Sequence, residues 1–513
     1  MYCKVLSGTV HGVGGLIIQV EADVSDGLPG FSMVGMLSSE VKEAGERVRT
    51  ALKNSKYKIP PKRITVNMSP ADIRKEGAVF DLAIAVAILA NLGYIPQENL
   101  KNVLIIGELS LNGDVNKVKG VLPIVCEAAK QEYKVCIVPK DNVREASVIE
   151  NITVVGVKTL REAMEFFLAS DNKKYIYKKD ESVDVSTEKI ADFSEVMGQT
   201  ALKRAVEVAA AGMHNFLMIG PPGAGKTMIA SRIPGILPRV SFDESIEITK
   251  VHSVAGMLDG DNPLVKNRPF RAPHHTTTRS AMAGGGRKAM PGEITLANHG
   301  VLFLDELPEF DTAVLELLRQ PLEEGKVEIS RVYGNYNYPA RFMLVAAMNP
   351  CKCGYYPDLS KCTCSSEQIK RYLGRISRPL LDRIDISVEV PKLEFGQIVS
   401  EGKAESSSSI RERVEKAREI QQKRYGNNFY YNSRLGVSEI KEFCSLDSEC
   451  SKLIEKVYET LGLTARSYHK ILKVARTIAD LDGGGPITRT HVSEALLYKC
   501  NLHGELQGGA FGR

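Results

Sequence analysis

One stretch of eight residues constrains the fold of this chain more than any other. Gly220, Pro221, Pro222, Gly223, Ala224, Gly225, Lys226 and Thr227 satisfy G-x-x-x-x-G-K-[ST]. The apolar run Phe216–Ile219 precedes them and the helix-forming run Met228–Ile233 follows. That is the strand-loop-helix setting in which the motif cradles phosphate. Glycines let successive backbone N–H groups turn inward, and a helix N-terminus adds a favourable dipole. In this reading Lys226 reaches the β- and γ-phosphates of ATP and the Thr227 hydroxyl ligates Mg²⁺. The apolar runs Val301–Leu304, Phe342–Ala346 and Ile386–Val390 supply further strands. Their continuous apolarity predicts a parallel sheet covered on both faces, hence an α/β domain.

The run Val301–Leu304 ends in Asp305 and Glu306. Asp305 fits the acid on the Mg²⁺ side of a P-loop ATPase. Glu306 is then placed to take a proton from the attacking water. After the next strand, Asn349 can orient that water or contact the γ-phosphate; the plain alternative is an Asn-Pro turn initiator. Arg378 and Arg383 stand before the last strand. Either can supply bidentate charge to a phosphoryl transition state, and such a finger can come from a neighbouring subunit.

The composition fits several folded domains. Of 513 residues 43% are hydrophobic and 25% charged, which excludes a mostly disordered chain. Alternating strand and helix patterns over 1–169 predict an α+β domain, with helices at Ser39–Lys53, Phe80–Leu92 and Val121–Gln131. A polar stretch, 170–191, reads as a linker, 192–395 as the phosphate-binding core, 396–503 as a helical lid and 504–513 as a loose tail. No apolar run is long enough to cross a bilayer. Met1–Gly15 has no export signal, so no membrane partner and a cytoplasmic location are expected. A net charge of +5 permits nucleic-acid binding without demanding it.

Longer motifs carry a resemblance. Arg268-Pro-Phe-Arg-Ala-Pro-His274-His275, Pro291-Gly-Glu-Ile-Thr-Leu-Ala and Gly300 to Phe310 are similar to the magnesium-chelatase-like branch of the AAA+ ATPases. With Gly198-Gln199, Asn349-Pro-Cys-Lys-Cys-Gly354 and Ala465 to Leu481, the chain resembles the ComM/YifB family over nearly its whole length. The resemblance implies Asn349 as sensor 1, Arg383 as the finger acting in trans with Arg378 as competitor, and Arg466 as sensor 2. It also implies a homo-hexameric ring with ATP between subunits, acting as a DNA motor for branch migration when incoming strands integrate. Other readings stay open: a chelatase subunit, a protein-remodelling ATPase, or a nucleotide-dependent scaffold without turnover.

The first domain resembles the Lon-protease-like (S5-like) fold. There Val79 occupies the place of the nucleophilic serine and Leu122 that of the catalytic lysine, with Lys119 close by. No serine lies between Asp72 and Ser110, so no peptidase activity is expected. Two segments suit a DNA grip. Arg271 to Pro291 carries Arg279, Gly284 to Gly286, Arg287 and Lys288. Glu328 to Arg341 reads as a hairpin turning at Gly334-Asn335, with Arg331, Tyr333, Tyr336, Tyr338 and Arg341 as cations and stacking platforms; solvated loops or subunit contacts are the alternative. Finally, four of the ten cysteines, Cys351, Cys353, Cys362 and Cys364, crowd together. They suit a structural Zn²⁺, with free thiols or an iron–sulfur cluster as alternatives.

Overall fold

The apolar runs of the first third pair into one seven-stranded sheet. A computed structural model describes residues 2–169, 172–177, 191–258, 262–286, 288–331, 334–392, 404–427 and 430–499. Its first strands are Cys3–His11 (β1), Gly14–Ser25 (β2), Gly30–Val34 (β3), Arg63–Ser69 (β4), Val103–Ile105 (β5), Val135–Pro139 (β6) and Thr153–Val157 (β7). They lie in the order β3-β4-β2-β1-β5-β6-β7. The pairs β1-β2 and β2-β4 are antiparallel, while β1, β5, β6 and β7 run parallel. The expected helices are present as Asp81–Asn91 and Val121–Lys130, and the Ser39–Lys53 stretch divides into Ser39–Lys42 and Ala44–Asn54.

β1 was not expected, because Ser7, Gly8 and Thr9 interrupt its apolar alternation. Tertiary contacts make it a central strand. The Ser7 hydroxyl donates to Ile105 O at 2.8 Å. At Gly8 a Cβ would stand 2.2 Å from Ile124 Cγ2, so only glycine lets Val121–Lys130 approach. Residues 172–177 of the expected linker are tied to this sheet: Ile176 bridges Val155, and Tyr177 N donates to Val154 O at 2.9 Å. Residues 178–190 and 504–513 lie outside the described residues.

The main strands of the second domain are Phe216–Ile219 (β8), Phe270–Arg271 (β9), Val301–Leu304 (β10), Lys326–Arg331 (β11), Gly334–Pro339 (β12), Met343–Met348 (β13) and Ile386–Glu389 (β14). Five form a parallel sheet in the order β9-β10-β13-β8-β14. Every residue of β8, β10 and β13 is buried, as strands covered on both faces require. Phe216, Met218, Phe303 and Val345 pack towards helix Thr200–Gly212 and the lid. Leu217, Leu302, Leu304 and Leu344 pack on the opposite face with Ile294, Leu315 and Leu318.

The lid contains helices Ser407–Tyr425, Val437–Phe443, Ser448–Leu461, Ala465–Leu481 and Arg489–Leu497. Asp480 anchors it: its carboxylate accepts from Arg424 at 2.9 Å, Arg476 at 3.1 Å and Asn432 at 2.8 Å. Neighbouring Thr477 reaches His214 of the core at 2.7 Å. Among the described residues no helix is long and apolar enough to cross a membrane.

β11 and β12 form the expected hairpin, but its turn is elsewhere. Arg331 pairs with Gly334 and Ser330 with Asn335, so Gly334-Asn335 belong to a strand rather than to the turn. Apolar pairing sets this register, with Val327 opposite Tyr338 and Ile329 opposite Tyr336. The hairpin reaches back to the first domain, where the His11 and Tyr336 rings stack with centroids 4.6 Å apart. A second contact joins the domains at Glu145, which accepts from Leu122 N at 3.0 Å and from Ser253 Oγ at 2.5 Å.

The core contains one ion pair sealed from solvent. Glu244 closes the capping box of helix Phe242–Ala255 and pairs with Arg268 at 3.0 Å. Arg268 also donates to Pro238 O at 2.5 Å and His299 O at 2.7 Å. Glu244→Ala strands that guanidinium without its carboxylate and should cost about 3–5 kcal/mol. A denaturation midpoint equal to wild type would refute this role.

Candidate active site

Strand order assembles the site. β13 lies between β8 and β10, so the residues that follow these three strands meet at one edge of the sheet. The phosphate loop leaves β8 through Gly220, where a Cβ would stand 2.3 Å from Val390 O. Gly223 and Gly225 adopt φ of +76° and +83°, which favours glycine there. Lys226 is buried at the start of helix Lys226–Ala230. Its ammonium donates to Gly220 O at 2.6 Å, Pro221 O at 2.9 Å and Asn349 Oδ1 at 3.1 Å. Burial lowers its pKa, against the opposing charges of Asp305 and Glu306.

The Thr227 hydroxyl donates to Asp305 Oδ2 at 2.7 Å, which brings together the two expected Mg²⁺ ligands. Asp305 Oδ1 accepts the backbone N–H of Glu306 at 2.9 Å. Glu306 has φ of +52°, a conformation costly for a residue with a side chain. This turn presents its carboxylate, 57% exposed, to the open edge, with His275 Nδ1 3.9 Å away. The His274 and His275 rings lie 4.0 Å apart, and His275 meets Phe310 edge-on. Neither His275 nor Gln199, whose Nε2 donates to Ala224 O at 3.1 Å, was given a role from sequence. Their only mark there was membership of longer motifs.

Arg383 and Arg466 stand elsewhere. Arg383 donates to Pro379 O at 2.6 Å and Arg319 O at 3.2 Å and pairs with Glu323. Arg466 pairs with the same Glu323 at 3.3 Å. The two arginines line a cavity of about 380 Å³ together with Asn215, Phe342, Asp385 and Lys470. Asn215, Phe342 and Asp385 immediately precede β8, β13 and β14, so this is the opposite edge of the sheet. Four strand residues separate the edges by about 13 Å. Among the described residues neither guanidinium contacts the phosphate loop. Burial pushes Lys470 down to about 8, against Asp385 and Asp382. Arg378 is exposed.

The expected DNA-gripping segments are largely engaged with each other and with the first domain. Tyr338 is 2% exposed and its hydroxyl donates to Ala289 O, so it is no stacking platform. Tyr336 stacks on His11. Arg331 donates to Gly286 O at 3.3 Å, Lys288 pairs with Glu40 at 3.0 Å, and Arg341 lies 3.8 Å from Glu247. Arg279 is exposed; Arg287 and Tyr333 lie outside the described residues. In the first domain, Leu122 is buried against Cys126 and Val148. Val79 and Lys119 share a cavity of about 580 Å³.

The four crowded cysteines converge, with all their sulfurs within 4.8 Å of one another. Cys351 Sγ lies 3.3 Å from Cys353 Sγ and 3.8 Å from Cys362 Sγ, and Cys353 is 3.5 Å from Cys362. The backbone N–H of Tyr355 pushes the Cys353 thiol down to about 6, which favours a thiolate.

Known proteins match all three parts of the chain. Residues 192–398 match the model of magnesium chelatase, subunit ChlI. Residues 20–142 match subunit ChlI of Mg-chelatase, and 404–499 match the subunit ChlI C-terminal model. Competence protein ComM of Haemophilus influenzae is 45% identical over 501 residues, 97% of each chain. Uncharacterized protein YifB of Escherichia coli is 43% identical over 491 residues, 95% of each. The magnesium-chelatase 38 kDa subunit of Cereibacter sphaeroides is 25% identical over 215 residues, 39% of this chain and 58% of that one. A phosphate loop, a paired threonine and aspartate and a helical lid thus occur in a chain that belongs to the ComM/YifB family of magnesium-chelatase-like AAA+ proteins.

Proposed function

We propose that the chain is an ATP-hydrolysing AAA+ motor that works as a homo-hexameric ring on single-stranded or branched DNA, driving branch migration in transformation or recombination. The separation of Arg383 and Arg466 from Lys226 carries the ring reading. One subunit brings its phosphate loop to a sheet edge, and the next brings its arginines from the opposite edge. Incoming phosphates take Lys226 from its loop carbonyls, exchanging neutral acceptors for charged ones. Mg²⁺, held by Thr227 and Asp305, would neutralise β- and γ-phosphate charge. Glu306 takes the proton of the attacking water, Asn349 orients the γ-phosphate, and the neighbour's Arg383 stabilises the equatorial oxygens. Arg466, also from the neighbour, reads the nucleotide as sensor 2.

The DNA part is supported by the similarity to a competence protein along the whole chain. The magnesium-chelatase 38 kDa subunit aligns with 39% of the chain, although models of the chelatase subunit match all three of its parts. In the first domain, a Lon-like fold without a nucleophile serves as ring scaffold and has no peptidase activity. The protein acts in the cytoplasm. The four sulfurs fit a structural Zn²⁺, because thiolates at about 2.3 Å from a tetrahedral ion stand about 3.8 Å apart.

Steady-state ATP hydrolysis, with and without forked or single-stranded DNA, tests the motor. Stimulation that weakens steeply with salt is expected, because phosphate contacts release counterions. Hydrolysis indifferent to DNA would sink the DNA reading and favour a protein-remodelling or chelatase-type ATPase. Lys226→Ala, lacking the phosphate contact, is the control that should lose ATP binding.

A further inference from the structure

The four-cysteine loop meets the phosphate loop on either side of its first two cysteines. Asn349, two residues before Cys351, accepts from the Lys226 ammonium at 3.1 Å. Gly354, one residue after Cys353, has φ of +85°, and a Cβ there would stand 2.5 Å from Cδ of Pro222. Pro222 is the third residue of the phosphate loop. Between these contacts the chain folds back on itself, with Gly354 N donating to Cys351 O at 3.0 Å.

Little besides sulfur holds this segment. From 351 to 364 only Cys351 and Gly354 are buried, and no residue is in a helix or strand. Tyr355 and Leu359 are 44% and 79% exposed, and Tyr356 between them is only half-buried. Four short backbone bonds, among them Cys362 N to Asp358 O at 2.8 Å, close local turns without anchoring the loop to the core. A loop with so small a core needs a cross-link to keep one shape.

We infer that a thiolate-bound metal ion, Zn²⁺ by donor type, clamps this loop and thereby braces Pro222 and Asn349, so that metal occupancy controls ATP affinity. The inference rests on the zinc reading above and adds the coupling. Cys351 ties the ion to the end of β13, two residues from the side chain that positions Lys226. Cys353 ties it to Gly354, whose bare Cα lets the loop close on Pro222. Releasing the ion frees both supports at once. Binding weakens because the phosphate loop must then be ordered by the nucleotide itself.

The test separates the metal from the coupling. Metal content is measured on purified Glu306→Gln protein, and affinity for a fluorescent ATP analogue is followed in excess Mg²⁺ before and after stripping with a thiol-competing chelator. About one zinc per chain is expected. Affinity should fall about tenfold or more on stripping and return with added Zn²⁺, the range for losing a positioning contact. Gly354→Ala keeps all four thiols but drives a methyl group at Pro222. It should retain zinc and still bind the analogue more weakly, which decides the matter if stripping unfolds the protein. Zinc present with affinity unmoved by stripping and by Gly354→Ala would overturn the coupling and leave the metal site standing. Less than about half a zinc per chain, or the visible absorbance of an iron–sulfur cluster, would overturn both.

Discussion

Arg383→Ala should lower ATP turnover by about 10³-fold or more while leaving nucleotide affinity nearly unchanged, the effect of removing an arginine finger. The expectation follows from position. Arg383 lies at the sheet edge opposite its own phosphate loop, beside Arg466 and on the shared carboxylate of Glu323. An arginine so placed can meet ATP only across a subunit boundary. Mixing gives the decisive measurement. A subunit carrying Arg383→Ala still has Glu306, and one carrying Glu306→Gln still has Arg383, so mixed rings contain some interfaces with both intact. Recovery of hydrolysis on mixing is expected. No recovery, with both variants folded and assembled, would remove the trans role and leave exposed Arg378 as the finger to test. Because Arg383 also holds Arg319 O and Pro379 O, Arg383→Lys and a melting curve separate lost charge from lost packing.

Glu306→Gln should bind ATP as tightly as wild type and hydrolyse it about 10²–10⁴-fold more slowly. Glutamine keeps the shape of glutamate but, as a neutral amide, cannot take the proton of the attacking water. The backbone at 306 supports this assignment. A positive φ at a non-glycine residue is retained where a structure has use for it, and here it turns the carboxylate past Asp305 towards the open edge. His275 Nδ1 lies 3.9 Å from that carboxylate, whose charge also acts on Lys226 and Tyr372. Equal single-turnover rates for the two proteins would exclude Glu306 as the base and move attention to His275.

Local rules carried the sequence reading a long way. Phe216–Ile219 and Val301–Leu304 form strands over those same residues, because continuous apolar runs bounded by glycine leave few alternatives. The apolar period marks a lid helix at Tyr468–Leu481, and the structure starts it three residues earlier, behind the Thr464 cap. β1 was not, since Ser7 and Gly8 are buried for reasons that lie in Ile105 and Ile124. Tyr338 was offered as a stacking platform because an aromatic between cations suggests one; its burial depends on which face of β12 the core covers. The hairpin turn was misplaced for a related reason: pairing Val327 with Tyr338 outweighed the turn preference of Gly-Asn.

The sequence by itself picks out the residues that gather at one sheet edge. Lys226, Thr227, Asp305 and Glu306 are identified by type and by the strands they follow, and these are short-range properties of a chain. Tertiary structure alone decided which groups share that edge. Strand order puts Asn349 beside Lys226, the parallel direction of β8, β13 and β14 sends Arg383 to the far side, and docking of helix Ala465–Leu481 through Lys470 on Ile384 O brings Arg466 there. It also decided that Gly354 closes on Pro222. Such relations depend on pairing between segments more than a hundred residues apart, which local periodicity and spacing do not encode.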